Sequence, residues 1–336
     1  KHNYLVNDVN MLSDTVHEAF HVARTGRPGP VVIDIPKDIQ FADGPYKKPT
    51  DKRFRVYQPR TDPHKKAIEE AVKLIAKAKR PIFYTGGGII NSGSAACKKL
   101  VEFAKMTGYP VTSTLMGLGC YPTTDKQFVG MLGMHGTYEA NHAMHECDVM
   151  INIGARFDDR GSGLVSAFSP NSVKIHVDID PSSINKNVAV DIPIVADAGK
   201  AIDAMMKEWQ KKEYTPNQKA LKSWWKQIDD WRSVNCLYYK QNSKIIKPQY
   251  ALERLRDLTA DIKDLYITTE VGQHQMWAAQ FLPFNKPMRW MTSGGLGTMG
   301  YGFPAAIGVQ IAHPKATVID VAGEASIQMN IQELST

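Results

Sequence analysis

The sequence predicts an α/β fold built on doubly wound parallel sheets. Three observations carry that expectation. Short β-branched runs bounded by Gly or Pro recur along the chain, as do strands buried on both faces. Stretches with apolar residues at helical spacing lie between them, and such alternation argues for a parallel sheet. Glycine clusters stand directly after several runs, at the strand ends where open α/β sheets bind ligands.

The elements follow in order. A helix spans Leu12 to Ala23 and closes at Thr25-Gly26, since Gly is favoured just past a helix end. The run from Pro30 to Pro36 reads as a buried strand. Residues 43–60 hold Pro45, Pro49 and Pro59 among many charges and read as a linker. Thr61-Asp62-Pro63 caps a helix with Ile68, Val72 and Ile75 on its apolar face, ending near Lys79. A strand at 81–84 runs into Thr85-Gly86-Gly87-Gly88. Then come a strand at 110–115, a helix at 137–146, strands at 149–153, 174–179 and 192–195, and a helix at 198–209. Residues 61–212 thus form one α/β domain. In the connector 213–246, Leu221, Trp224, Ile228 and Trp231 share a helix face that packs on a domain. A second α/β run fills 247–336: helix 248–258, strand 265–268, helix 273–280, strand 290–292, helix 299–312 and strand 317–321. A last turn opens a helix at the end of the chain.

Composition narrows the function. The 336 residues suffice for two or three domains. Apolar content of 43% and charged content of 22% are ordinary for a globular protein. No apolar run reaches the roughly 18 residues of a membrane helix. The N-terminus lacks both Met and a signal-peptide core, so the sequence is expected to begin inside a longer protein. Cys97, Cys120, Cys147 and Cys236 are far apart, which fits free thiols in a reducing compartment, cytoplasmic or an organellar matrix. The net charge of +7 comes from scattered lysines without interleaved aromatics, so no nucleic-acid partner is expected. His142 and His145 sit at i,i+3 on a helix with no third metal ligand in view.

The glycine turns fall into two groups. In the middle domain stand Gly86-Gly87-Gly88, Leu132-Gly133-Met134-His135-Gly136, and Gly154-Ala155-Arg156-Phe157-Asp158-Asp159-Arg160. Glycine lets backbone N–H groups approach phosphate, and the arginines can pair with it. Asp178 and Asp197, beside strand ends, can hold sugar hydroxyls. Together these imply a dinucleotide, though none matches GxGxxG, so a standard NAD site is disfavoured. In the last domain, Thr269-Glu270-Val271-Gly272-Gln273-His274, Ser293 to Gly300, and Gly323-Glu324-Ala325-Ser326 each follow a strand. Three strand ends supply N–H groups, hydroxyls and one carboxylate. A carboxylate beside a diphosphate needs a cation between them, and Mg²⁺ suits that oxygen set.

These residues resemble a known family. The stretch Val271 to Gln280, Gly294-Gly295-Leu296-Gly297-Thr298-Met299-Gly300, Gly26-Arg27-Pro28-Gly29-Pro30, Leu132 to Gly136 and Gly154 to Arg160 are similar to the catalytic subunit of acetohydroxyacid (acetolactate) synthases. The resemblance runs end to end. It implies that 1–42 closes a pyrimidine-binding domain, 61–212 binds FAD, and 247–336 is the first half of a thiamine-diphosphate-binding domain. It implies decarboxylation of pyruvate and ligation of the two-carbon unit to a second 2-ketoacid, pyruvate or 2-ketobutyrate. Val271, Gly272, Gln273 and His274 would meet the diphosphate side, with Gly297, Gly323, Ala325 and Ser326. Met299 would wedge the thiamine cofactor into a bent shape, and Glu324 would ligate Mg²⁺ where the family usually has Asp. Arg27, Gly86, Gly87, Gly88, Asn91, Thr114, Leu115, Leu132, Gly133, Met134, His135, Gly154, Ala155, Arg156, Asp158, Arg160, Asp178, Ile179, Asp197 and Ala198 would line FAD, which serves as a structural cofactor.

Lys37 and Arg160 would stand near the mouth of the active site, Arg160 meeting the second substrate's carboxylate. The resemblance also implies a homodimer or tetramer and a small regulatory subunit. It puts the glutamate that activates the cofactor upstream of Lys1 and the second Mg²⁺ ligand, an Asn, downstream of Thr336, so this chain alone is expected to be inactive. Two alternatives stay open: a flavin-dependent pyruvate oxidase, and a non-catalytic relative of the same fold.

Overall fold

The computed structural model describes residues 1–49, 57–242 and 244–336. At the N-terminus, β1 (His2–Leu5) pairs in parallel with β2 (Val31–Asp34), connected by α1 (Leu12–Arg24). Thr15, Ala19 and Val22 form the buried face of α1, at the three-to-four spacing of a helix stripe. A short helix, α2 (Lys37–Phe41), follows. The β2 run is not the buried strand its composition predicts. Val32 is 63% exposed, because the sheet has two strands and alternate side chains point away from α1. Of the expected linker, 50–56 lies outside the described residues, and 43–49 and 57–60 carry neither helix nor strand.

The central unit alternates helix and strand: α3 (Lys65–Lys77), β3 (Pro81–Thr85), α4 (Gly87–Asn91), α5 (Ser94–Thr107), β4 (Val111–Ser113), β5 (Phe128–Met131), α6 (Tyr138–Glu146), β6 (Val149–Ile153), α7 (Asp159–Ser162), β7 (Val173–Asp178), β8 (Ile192–Val195) and α8 (Ala198–Lys211). Its six strands are parallel in the order β5-β4-β3-β6-β7-β8. β3 and β6, at the centre, are buried at every residue, as strands covered on both faces must be. The chain winds outward from β3 to β5, returns to lay β6 beside β3, and winds the other way. That reversal opens a crevice at the carboxyl ends of β3 and β6.

The helix α3 starts at Lys65 with His64 as an N-cap that makes no side-chain bond. The predicted cap, Thr61-Asp62, instead receives the Lys200 ammonium. Helix α9 (Gln218–Arg232) packs on this unit, as its spacing predicts: Leu221, Trp224 and Ile228 join the central core. The Trp224 and Trp225 indoles donate to the carbonyls of Pro81 and Gly108.

The last unit comprises α10 (Pro248–Leu258), β9 (Leu265–Thr269), α11 (Gln273–Phe281), β10 (Trp290–Thr292), α12 (Gly302–Ala312), β11 (Thr317–Val321) and α13 (Glu324–Gln328). Its parallel strands run β10-β9-β11. Leu118 and Met131 of the central unit share its core with Ile267, Phe284 and Trp290. The helix predicted over 299–312 begins only at Gly302, since Gly300 has φ +87° and cannot continue a right-handed helix. Among the described residues, no helix is long and apolar enough to cross a membrane.

Candidate functional site

Two crevices gather the glycine turns. In the last unit the chain leaves β9 for β10 on one side and returns to β11 on the other. The turns after β9 and β11 therefore face each other. The His274 ring lies between them: a Cβ on Gly272 or Gly323 would come within 2.8 or 2.7 Å of its Cε1. Burial lowers the His274 pKa, opposed by a hydrogen bond with the Glu270 backbone and the charges of Glu270 and Glu324. The ring is thus biased toward its neutral form, and its Nε2 is buried without a protein partner. Ser326 Oγ donates to the Val271 carbonyl at 3.1 Å, joining the two turns. Behind them, the Thr292 hydroxyl oxygen accepts from Gln275 Nε2 at 2.6 Å and pairs with Thr269 Oγ1 at 2.8 Å.

Glu324 opens α13 and is exposed, with Gly323 as N-cap. A carboxylate in the first turn suits the helix dipole and leaves its oxygens free to face a cation. Met299 is 39% exposed on the turn after β10, between Gly297 and Gly300, whose φ values are +74° and +87°.

The second crevice lies between β3 and β6. Gly86 N–H donates to Ile153 O at 3.0 Å and Gly88 N–H to Gly154 O at 3.1 Å. A Cβ on Gly86 would overlap the Gly154 carbonyl, and one on Gly88 would stand 2.7 Å from Gly154 Cα. The buried Asn152 side chain holds Ala155 by both its N–H and its carbonyl. Asn91 ends α4, and Thr114 accepts from Gly117 N–H beside Leu115. Leu132 N–H donates to Ser113 O, and Met134 N–H to Arg160 O at 3.0 Å. The Asn141 amide brackets Gly133 from the other side. The segments 132–135 and 158–160 are therefore one assembly, leaving His135 exposed at its surface.

Arg156 lies 3.8 Å from Asp158, which caps α7 through Gly161 N–H. Asp178 ends β7 and accepts from Asp180 N–H, with Ile179 between them. Arg27 reaches Asp180 at 3.6 Å across a cavity of about 920 Å³ lined also by Tyr57, Arg60 and Ile179. Asp197 Oδ1 already has partners: it caps α8, whose first residue is Ala198, through Lys200 N–H at 3.0 Å and accepts from Ser92 Oγ at 2.9 Å.

Not every predicted residue joins a crevice. Lys37 opens α2 on the N-terminal unit, with its ammonium 5.9 Å from the Phe41 ring centre. The Arg160 side chain is 69% exposed beside Asp159. His142 stacks on Trp231, and among the described residues no three His, Cys, Asp or Glu could hold a metal. Three residues had no role assigned from the sequence. Met116 lies between the crevices, its backbone against Gly87 and its sulfur against Gly294. His176 is fully buried, with both ring nitrogens unpartnered and Nε2 3.7 Å from Asp178. Glu270 is fully buried at the end of β9, and its acidic character directly before Val271-Gly272 was the only available signal.

The comparisons with known proteins coincide with this division. The family described as "Thiamine pyrophosphate enzyme, central domain" matches residues 68–205, the six-stranded unit. "Thiamine pyrophosphate enzyme, C-terminal TPP binding domain" matches residues 270–336, where all three turns of the β9–β11 crevice lie. The chain carries the central and C-terminal domains of thiamine pyrophosphate enzymes. The whole chain aligns with the acetolactate synthase large subunit of Haemophilus influenzae at 49% identity and with the isozyme 3 large subunit of Escherichia coli at 47%. It aligns with the acetolactate synthase of Mycobacterium leprae at 42%. The chain spans 58% of the length of the first two relatives and 53% of the third.

Proposed function

We propose that the protein is the catalytic chain of an acetolactate synthase, which decarboxylates pyruvate and joins the two-carbon unit to a second 2-ketoacid. The observation that carries this reading is the β9–β11 crevice, where the turns after β9 and β11 close on the half-buried His274 imidazole and the Glu324 carboxylate stands beside it. The large-subunit relatives, at 47–49% identity, support it.

The residues present fit thiamine diphosphate and Mg²⁺. The buried, unpartnered Nε2 of His274 and the glycines packed against its ring form a cradle for a diphosphate oxygen. When bound, the cofactor supplies the nucleophilic carbon that makes pyruvate decarboxylation possible. Gly272, Gln273 and His274 would hold the diphosphate, Glu324 would ligate Mg²⁺, and Met299 would stand against the thiamine cofactor as its wedge. FAD would lie at the crevice between β3 and β6, where glycine at 86, 88 and 154 lets the two strand-end turns meet backbone to backbone. FAD is then a structural ligand of the central unit. Arg160 orients the second ketoacid by its carboxylate, and Lys37 adds positive charge at the mouth. The active form is a homodimer or tetramer, and the relatives' large-subunit names support a small regulatory partner.

The intact protein with Mg²⁺ and thiamine diphosphate should convert pyruvate anaerobically to acetolactate while its flavin stays oxidised. Flavin bleaching with stoichiometric acetate would instead mark a pyruvate oxidase, and absence of decarboxylation would mark a non-catalytic relative. Replacing Glu324 by Gln should weaken Mg²⁺ binding by about tenfold or more, read by titrating cofactor binding against the metal, since a neutral amide is a poorer ligand for a hard cation. Unchanged Mg²⁺ dependence would remove Glu324 from the metal site.

A further inference from the structure

A carboxylate buried as completely as Glu270 is costly unless its oxygens are hydrogen-bonded. Both are. Oε2 accepts from Gly300 N–H at 2.6 Å, and Oε1 accepts from Phe303 N–H at 2.9 Å. Phe303 belongs to the first turn of α12, where N–H groups have no partner inside the helix. Gly300 closes the turn that carries Met299. One side chain thus satisfies a helix-start donor and the last amide of that turn, at a helix end that favours negative charge.

From the opposite side, Asn330 Nδ2 donates to the Gly300 carbonyl. There is no room for more: a Cβ on Gly300 would stand 2.7 Å from Asn330 Nδ2 and 2.8 Å from Met329 Cβ. Gly300 is buried and held by both its amide and its carbonyl, whereas residues 295–299 are exposed.

We infer that Glu270 is a positioning residue for the thiamine site: by fixing Gly300 it sets where the Met299 side chain stands. This rests on the proposed wedge role of Met299. Glu270 touches neither substrate nor cofactor in this scheme and acts through one backbone amide.

Glu270→Gln is nearly isosteric but leaves one of the two amides facing an NH₂ group. In the cofactor-free protein, amide hydrogen exchange over 300–303 should rise about tenfold, the equivalent of about 1.4 kcal/mol. Thiamine diphosphate, titrated calorimetrically with Mg²⁺ into the intact protein, should bind about tenfold more weakly. In a Met299→Ala background the same substitution should cost no further affinity. Unchanged exchange at 300–303, or losses that add in the double variant, would overturn the inference.

Should the Gln variant loosen the whole β9–β11 unit, Glu270→Asp keeps the charge and shortens the reach. Faster exchange at Gly300 with an unchanged melting temperature then supports the inference, and unchanged exchange overturns it. A Met299→Ala protein that binds the cofactor like the parent defeats the wedge reading itself. The two failures are distinguishable, because exchange reports the hold on Gly300 without cofactor.

Discussion

Glycine at residues 86, 88 and 154 is a matter of clearance. The two turns touch backbone to backbone, so an added methyl has no flexible side chain to displace. Gly86→Ala should therefore weaken FAD binding by at least about tenfold, or about 1.4 kcal/mol, in a flavin fluorescence titration. Unchanged affinity would move the flavin elsewhere. Asp320 makes a different prediction. Burial, with the Glu270 charge as a lesser cause, raises its pKa above the ordinary carboxylate value. The folded state then binds a proton that the unfolded state has released, so this group's contribution to stability falls as pH rises from about 4 through the raised value. Asp320→Asn should flatten that part of the pH dependence in thermal melts of the cofactor-free protein; an unaltered slope would assign it to other groups. The glycines were legible because each follows a β-branched run. The roles of Glu270 and Met116 were not, since their partners lie far away in sequence, Gly300 and Phe303 for one and Gly294 for the other.

At the scale of elements, α9 shows how a polar segment is made part of a core. Its lysines face water, while Trp224 is 1% exposed and ties the helix to the start of β3 through Pro81 O. Trp224→Ala should cost about 3–5 kcal/mol, as large aromatic truncations in cores do. Urea unfolding would measure it, and a loss below about 1 kcal/mol would mean that α9 is an appendage. The helix was readable because four apolar residues kept its period over a polar background. Strands β6, β8, β10 and β11 matched their expected bounds for a similar reason: short branched or aromatic runs between breakers. β1, with the sequence His-Asn-Tyr-Leu, carries no such pattern and is a strand through its pairing with β2. The start of α12 was misplaced because Gly-Thr-Met-Gly looks like a helix opening, and only the left-handed φ of Gly300 rules it out.

At the scale of the molecule, the two crevices belong to separate sheets with a shared boundary. The turn after β4 and the end of β5 contribute Leu118 and Met131 to the core of the last unit. The sequence divided the chain into two α/β runs but held no signal for this seam, which depends on packing between residues 118–131 and 252–290. Met116 stands in it. A Cβ on Gly87 would lie 3.2 Å from its carbonyl oxygen, and one on Gly294 would overlap its sulfur. A single residue in contact with both turns can couple what binds at them, and any such coupling is thermodynamically reciprocal. If FAD tightens thiamine diphosphate binding by some factor, thiamine diphosphate must tighten FAD binding by the same factor. That factor should exceed one in the parent protein and fall toward one in Met116→Ala, with each cofactor still able to bind alone. A parent value of one would mean that the contact transmits nothing. A bound flavin without redox work would then still contribute energetically, by stiffening, across one thioether, the turn proposed to hold the thiamine cofactor.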